Sequence, residues 1–168
     1  QLLEFYRILS NEAIYAIMVF DQEGKACLYA NKMACELLEI PPQSDLCHFP
    51  FSSLCPNKNS RKEFRPLSFE LFHNEGLFQD VVMIRQNNTQ LITNLNVKKI
   101  TLTDQSLTLL MFQDITFQKK LQRDLTTKQI EIKSAYEELL FQNRQLKDLD
   151  IAKDHFIALT THELRTPL

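Results

Sequence analysis

The sequence predicts an α+β fold, a five-stranded antiparallel sheet with helices on one face, followed by one long helix. Two observations lead to this plan. Between residues 10 and 116, two strand patterns precede a group of short helical patterns, and three further strand patterns follow them. From Phe117 onward the apolar residues recur every seven positions, which is typical of a helix that pairs with another helix.

The chain begins with a predicted helix and a hairpin. Residues 2–9 carry apolar side chains all round a short helical window, which predicts a helix packed on a neighbour. Residues 17–21 and 26–30 have the composition of buried strands. The turn at Gly24 between them predicts that they pair antiparallel.

A helix and an irregular segment are predicted next. Asn31 is a suitable N-cap for a helix over residues 32–39, and Pro41-Pro42 is expected to end that helix. Residues 43–59 are rich in Pro, Ser and Asn but include several phenylalanines. We predict a packed segment without regular structure there.

The second half of the sheet follows a short helix. Pro66 favours the first turn of a helix through His73, with Gly76 as its C-terminal cap. Turn residues then separate three strand patterns. The predicted strands are residues 78–85, 91–100 and 107–114.

Composition excludes two classes of function. With 44% apolar residues, a net charge of −2 and no block of Lys or Arg, the chain does not predict nucleic-acid binding. Its apolar runs are far shorter than the roughly 20 residues of a membrane span.

The chain opens on Gln1 without a signal peptide and stops at Leu168 inside a motif. We therefore expect an internal piece of a longer protein, whose membrane anchoring is open.

The four cysteines predict neither a disulfide framework nor a metal site. Cys27 falls in a predicted strand and Cys35 on a predicted helix, where a free thiol behaves as a small apolar side chain. Cys47, His48 and Cys55 supply at most three zinc ligands, whereas a closed structural site has four. We expect no metal, reduced thiols and a cytoplasmic location.

Three stretches of residues 10–116 resemble the PAS domain family. They are the first hairpin with Tyr29-Ala30-Asn31 leading into a helix, Gly76–Asp80 at the entry into the third strand, and the closing Asp114-Ile115-Thr116. The last is similar to the Asp-(Ile/Val)-Thr junction by which PAS domains pass into an output helix. The resemblance implies a sensor domain in which Asp114 and Thr116 transmit the signal.

The resemblance leaves the PAS ligand unknown. A flavin-photoadduct domain has an Asn-Cys-Arg-Phe-type helix, and none of the four cysteines has that setting. His48 and His73 are the candidate haem ligands of this domain, but each is more typical of a loop or a helix end. The phenylalanines between residues 49 and 78 either line an apolar cavity or fill the core, and a filled core is the commoner arrangement.

The heptad pattern predicts a signalling coiled coil over residues 117–153. One seam position holds Leu125, Ile132, Leu139 and Leu146, and the other holds Leu121, Ala135, Leu149 and Phe156. Lys128 and Gln142 interrupt the second position, so we expect a weak seam that can repack. The predicted partner is a second copy in a parallel pair. The alternative is a helix folded back onto its own sheet.

The last fifteen residues, Asp154–Leu168, place a histidine on the polar side of a helix. At roughly 100° per residue, Ile157 and Leu164 share one face, and His162 lies about 160° from Leu164. We therefore expect the imidazole to face solvent. A carboxylate follows it directly at Glu163, and such an acid can orient the ring and accept its proton.

This stretch resembles the H-box of sensor histidine kinases, Phe-x-Ala-x-x-(Ser/Thr)-His-Glu-Leu-Arg-Thr-Pro-Leu. The resemblance implies that His162 takes phosphate from ATP and that Glu163 activates it. Thr166 is implied as the position tied to dephosphorylation of a partner receiver, and Pro167 is expected to kink the helix. Thr160 departs from the family, which often has an apolar residue there.

Together the resemblances imply part of a two-component sensor histidine kinase. Its partners are expected to be a second copy, a response-regulator receiver domain and its own ATP-binding domain. ATP and Mg²⁺ belong to that missing domain, because a chain with two glycines has no Gly-rich phosphate-binding stretch. The alternatives are a non-catalytic PAS dimerisation scaffold with an unused H-box, and a PAS domain whose coil drives another output. The predicted domains are an N-terminal helix or linker (1–9), the PAS domain (10–116), the coil (117–153) and the truncated start of the dimerisation and phosphoacceptor domain (154–168).

Overall fold

The computed structural model describes residues 2–41, 46–56, 63–102 and 105–165, without the side chains of Leu2 and Cys47. The chain divides into two units, Gln1–Lys119 and Lys120–Leu168. The first unit contains the sheet and its short helices. The second consists, in its described residues, of the continuation of the last helix.

The elements follow the predicted order with one addition. In chain order they are α1 (Leu2–Asn11), β1 (Ala16–Asp21), β2 (Cys27–Ala30), α2 (Lys32–Leu38), two 3₁₀ turns (Leu46–His48 and Phe51–Leu54), β3 (Arg65–Pro66), α3 (Phe69–His73), β4 (Gly76–Ile84), β5 (Gln90–Leu102), β6 (Gln105–Asp114) and α4 (Thr116–Arg165). The addition is β3. The segment for which we predicted no regular structure contains the two 3₁₀ turns, and its residues 43–45 and 57–59 lie outside the described ones.

The strands form one sheet in the order β2-β1-β6-β5-β4-β3. The five predicted strands pair antiparallel throughout, as expected. The predicted strand number is wrong by one, because β3 adds a sixth strand that pairs parallel with β4. The final strand β6 lies between β1 and β5 in the middle of the sheet, so the chain leaves the sheet from its centre.

The short helices α2 and α3 and the second 3₁₀ turn pack against the sheet. Alternate side chains of the strands meet side chains of the helices and of the second 3₁₀ turn in a single core. Its largest fully buried members are Met18, Phe20, Leu38, Phe51, Leu54, Phe72, Met83, Leu91, Leu95, Leu110 and Phe112. The core therefore joins the first hairpin, the helical segment and the last three strands.

Pro66 does not start a helix, and Gly76 does not cap one. Pro66 pairs with Val82 of β4 in the short edge strand, where its missing N–H breaks no ladder bond. The helix begins after Ser68, and the amide of Asn74 closes it by donating to two carbonyls of its last turn. Gly76, with φ 148°, is the first residue of β4. Pairing with a distant strand thus outweighs the local preference of proline for a helix start.

The prediction that the first helix packs on a neighbour is also wrong within the described chain, because most of α1 is exposed. Leu3 is 86% exposed, and Phe5, Tyr6 and Ile8 are each more than half exposed. The helix is held at its end instead. The Ser10 hydroxyl accepts from the Tyr29 hydroxyl at 2.9 Å.

The predicted cap Asn31 connects three elements. Its side-chain oxygen accepts from Ala34 N in the first turn of α2 and from Ile17 N in β1, at 3.0 and 2.9 Å. Its amide nitrogen donates to the carbonyls of Ser10 and Tyr15, at 2.8 and 3.0 Å. The residue is fully buried and all four of these bonds are made. The helix that it caps ends at Leu38, because Glu39 adopts the left-handed conformation before Pro41 is reached.

We predict that Asn31→Ala lowers the free energy of unfolding by about 3 kcal/mol or more, because it leaves buried amides and carbonyls without partners. Urea unfolding measures the loss. Asn11→Ala is the matched control, since Asn11 makes an exposed capping bond to Lys32 N at 3.1 Å. We expect the control to lose less than about 1 kcal/mol. Equal losses in the two variants would contradict the central role of Asn31.

Candidate functional site

The predicted acceptor lies near the end of α4, the 50-residue helix Thr116–Arg165. His162 and Glu163 are both exposed, as is every described residue after Lys119. Thr166 and Pro167 lie outside the described residues. An imidazole in this setting is accessible to a separate domain that carries the phosphate donor.

Two threonines immediately before His162 bond back along the helix. The hydroxyls of Thr160 and Thr161 donate to the carbonyls of Phe156 and Ile157, at 2.8 and 2.7 Å. Such bonds satisfy a polar side chain on a helix without a tertiary partner, and they often bend the helix slightly. Thr160, the departure from the H-box pattern, is therefore accommodated on the helix surface.

The predicted seam of α4 is an uncovered apolar stripe. Its side chains are half to two-thirds exposed, from 50% at Leu121 to 68% at Ile132 and Phe156. No residue of α4 is buried in the described chain. Apolar side chains repeated over five heptads, or about ten turns, are stabilised when a partner covers them.

The junction between sheet and helix is built around Asp114 and Thr116. One oxygen of the Asp114 carboxylate accepts from Thr116 N at 2.8 Å and from the Thr116 hydroxyl. The hydroxyl oxygen in turn accepts from Ile92 N in β5 at 2.8 Å. Asp114 thus satisfies one of the amides that a helix start leaves unpaired. Both side chains predicted at the junction are brought together.

Arg85, which the sequence did not reveal, completes this cluster. Its guanidinium donates to the second oxygen of Asp114 at 3.0 Å, and the two side chains are only 25% and 20% exposed. The Arg85 Nε also donates to the carbonyl of Leu37 at the end of α2, at 2.9 Å. The amide of Gln86 donates to the neighbouring carbonyl of Leu38 at 3.0 Å. The β4–β5 hairpin therefore ties α2 to the junction.

The aromatic residues of the predicted sensor core pack against one another. The rings of Phe51 and Phe72 have centroids 4.4 Å apart, and Phe20 lies edge-on to both at 5.8 and 6.0 Å. All three are fully buried. A Cβ at Gly24 would come within 3.1 Å of Phe51 and 3.2 Å of Phe72. These rings fill the space between them.

Three of the thiols and histidines considered as ligands have local surroundings that the structure describes. Burial raises the pKa of the Cys55 thiol to about 11, and its sulfur lies 3.7 Å from the carbonyl of Phe51. Burial, and then the charge of Glu36, raises the pKa of Cys35. His73 bonds the carbonyl of Phe69 through Nδ1 at 2.7 Å. Among the described residues no three His, Cys, Asp or Glu side chains are grouped as a metal site.

In the described ranges, none of the helices combines the length and the apolar character that a membrane crossing needs.

Solved structures with a similar fold are PAS domains. One comes from a two-component sensor histidine kinase, with a TM-score of 0.54, 13% identity, and 67% of this chain and 96% of that chain covered. Another belongs to an HTR-like protein from Haloarcula marismortui, with a TM-score of 0.53, 13% identity, and 68% and 92% covered. A third belongs to the nitrogen regulation protein NR(II) from Vibrio parahaemolyticus, with a TM-score of 0.50, 21% identity, and 66% and 97% covered.

No family model matches the sequence, and no curated protein matches it either. At identities of 13–21% the structural similarity establishes the fold. The chain therefore has a PAS-like α+β fold with a six-stranded, mostly antiparallel sheet and a long C-terminal helix, and the predicted fold class is confirmed.

The junction geometry predicts different effects for two substitutions of Thr116. Thr116→Val keeps the shape but removes the oxygen that accepts from Ile92 N, so we expect a loss of about 1–2 kcal/mol in the free energy of unfolding. Thr116→Ser keeps the hydroxyl, and its expected loss is below about 1 kcal/mol. Urea unfolding of the two variants compares them. If valine is tolerated as well as serine, the hydroxyl does not hold the junction.

Proposed function

We propose that the chain is the sensory and phosphoacceptor part of a two-component sensor histidine kinase. The observation that carries the proposal is the run His162–Leu168, which matches the H-box in register. Its described part, His162–Arg165, lies on the helix that begins at the end of the PAS-like domain. The likeness to a PAS domain from a two-component sensor histidine kinase supports it at the level of the fold. We place the protein's phosphotransfer in the cytoplasm, where ATP is available.

In the proposed reaction the neutral imidazole of His162 attacks the γ-phosphorus of ATP in line. A nitrogen–phosphorus bond forms while the bond from that phosphorus to the β-phosphate oxygen breaks, and ADP leaves. The other ring nitrogen gives up its proton to Glu163, which stabilises the positive charge that develops on the ring. The exposure of both side chains supports access by an ATP-binding domain that holds ATP and Mg²⁺.

Phosphate then passes to an aspartate on a response-regulator receiver. The nitrogen–phosphorus bond breaks as the aspartate oxygen bonds to phosphorus and an aspartyl phosphate forms. The ring takes its proton back from Glu163 and returns to neutral imidazole. Thr166, four residues after His162 in the sequence, is the proposed position that assists dephosphorylation of the receiver. No step of this sequence needs a ligand in the PAS domain.

The proposed active form is a parallel homodimer through residues 117–153. The uncovered stripe from Leu121 to Phe156 supports it, since a helix of this length is stabilised mainly by packing. Asp114 and Thr116 are the proposed signal-transfer residues, because they set the start of the helix whose packing places His162. Changes in the sensor domain would act on phosphorylation through this start.

The acceptor assignment predicts distinct outcomes for two neighbouring residues. With labelled ATP and a matching ATP-binding domain in trans, or in the full-length parent, the wild type should gain an acid-labile, base-stable phosphate. Glu163→Ala should gain it roughly 10² to 10⁴ times more slowly, which is the usual contribution of a general base. His162→Ala should gain none.

His155→Ala is the matched control, because His155 is a second exposed histidine on the same helix. It should label at the wild-type rate. Labelling of His162→Ala at the wild-type rate would refute the kinase assignment, and the non-catalytic dimerisation scaffold would take its place.

The mass in solution and substitutions in the predicted seam test the proposed dimer. Light scattering should give a mass of twice the 19.7 kDa of one chain. Gln142→Leu replaces a polar seam residue and should raise the melting temperature by roughly 4 °C or more. Ser134→Leu, on the outer side of the predicted coil, should not. A monomer, or equal effects of the two leucines, would show that the assigned seam is wrong.

A further inference from the structure

Asp80 sits at a bulge in β4 with an uncommon backbone conformation. Phe78 pairs with Leu95 and Val81 pairs with Thr93, so two residues of β4 stand opposite one residue of β5. Asp80 has φ 56°, in the left-handed region that Asp and Asn adopt more readily than most residues. The bulge changes the direction in which its side chain points.

The carboxylate of Asp80 meets Lys119 in the first turn of α4. The ammonium of Lys119 lies 2.8 Å from one oxygen and 2.9 Å from the other. The two side chains are 29% and 36% exposed for Lys119 and Asp80, so the pair is partly sheltered from water. The amide of Lys119 also donates to the carbonyl of Ile115 at 2.9 Å, which places the residue at the first regular helical bond.

The first turn of α4 therefore has two attachments to the sheet. Thr116 is held by Asp114 at the end of β6 and by Ile92 of β5. Lys119 is held three residues later by Asp80 of β4. Three residues advance a helix by about 4.5 Å and about 300°. One attachment alone allows the turn to pivot, whereas two on different strands also fix its rotation about the helix axis.

We propose that Asp80 and Lys119 are positioning residues that set the rotation of the output helix and release it when their ion pair opens. This inference rests on the proposed role of α4 as the output helix. The pair is the weaker of the two attachments. The Asp114 carboxylate accepts hydrogen bonds from three donors and is 20% exposed. A partly exposed lysine–carboxylate pair, in contrast, contributes little to the free energy of unfolding and is screened by salt.

The bulge supports a specific role for the Asp80 carboxylate. A left-handed residue in a strand is unfavourable for most side chains and is retained where the surrounding structure requires it. Here it brings a negative charge to the first turn of α4, the part of that helix that belongs to the first unit. Asp80→Asn keeps the size and the tolerance for this conformation and removes only the charge, so it separates the ion pair from the bulge.

Amide hydrogen exchange of residues 119–122 tests the restraint. Asp80→Asn and Lys119→Gln should each speed exchange there by about two- to five-fold, the range expected for a partly exposed ion pair. The double variant should exchange no faster than either single variant, and Lys119→Arg should stay close to wild type. Lys120→Gln, which removes the neighbouring charge, is the control and should change nothing.

Ionic strength provides a second test of the Asp80–Lys119 restraint. Raising ionic strength from about 0.05 to about 0.5 M should speed exchange of these amides in the wild type but not in Asp80→Asn, because only the wild type has the pair to screen. Wild-type exchange rates in both single variants, or additive effects in the double variant, would overturn the restraint.

Autophosphorylation of the full-length parent tests the link to output. Asp80→Asn and Lys119→Gln should shift the rate of His162 labelling in the same direction and by a similar factor, while Lys120→Gln should not. Faster exchange with unchanged labelling would overturn the positioning role. Failure of the wild type to label would instead refute the proposed kinase function, and the exchange experiment would still decide whether the ion pair restrains the helix.

Discussion

One carboxylate joins the parts of the first unit that meet at the start of α4. Asp114 accepts from Arg85 through one oxygen and from Thr116 through the other, and Arg85 reaches the end of α2 at Leu37. Charge-assisted bonds of this kind are the strong ones, and each protects the others from being left unpaired. The core helix α2, the β4–β5 hairpin and the first turn of α4 therefore depend on the same group.

The helix that begins at this group has no core of its own. Every described residue of α4 beyond Lys119 is exposed, including the apolar stripe that continues to Phe156. In proteins most of the stability of a helix comes from packing of its apolar face rather than from its backbone hydrogen bonds. Lys128 and Gln142 weaken the seam of the proposed dimer. Small changes at the start of α4 can therefore alter how the two helices pack. A strong junction and a weak seam together make the helix a suitable transmitter.

Local chemistry was enough to predict most of the fold from sequence. Strand composition and turn residues located the five main strands to within a few residues, and Asn31 was recognised because a helix cap depends on its nearest neighbours. Pro66 was misassigned because its pairing with β4, a distant strand, decided its conformation. Arg85 and Asp80 were missed for the same reason, since their partners lie 29 and 39 residues away and no local pattern marks them. The H-box was found by its motif, and its chemistry remains a prediction.

We infer that the Asp114 carboxylate couples α2 and the β4–β5 hairpin to the start of α4. A double-mutant cycle between Arg85→Met and Thr116→Val tests it most directly, because the two residues meet at opposite oxygens of that carboxylate. The measurement is the free energy of unfolding of the wild type, the two single variants and the double variant. If the carboxylate couples them, the two losses should differ from additivity by about 1 kcal/mol or more, as for residues in one hydrogen-bond network. Losses that add to within about 0.3 kcal/mol would contradict the claim.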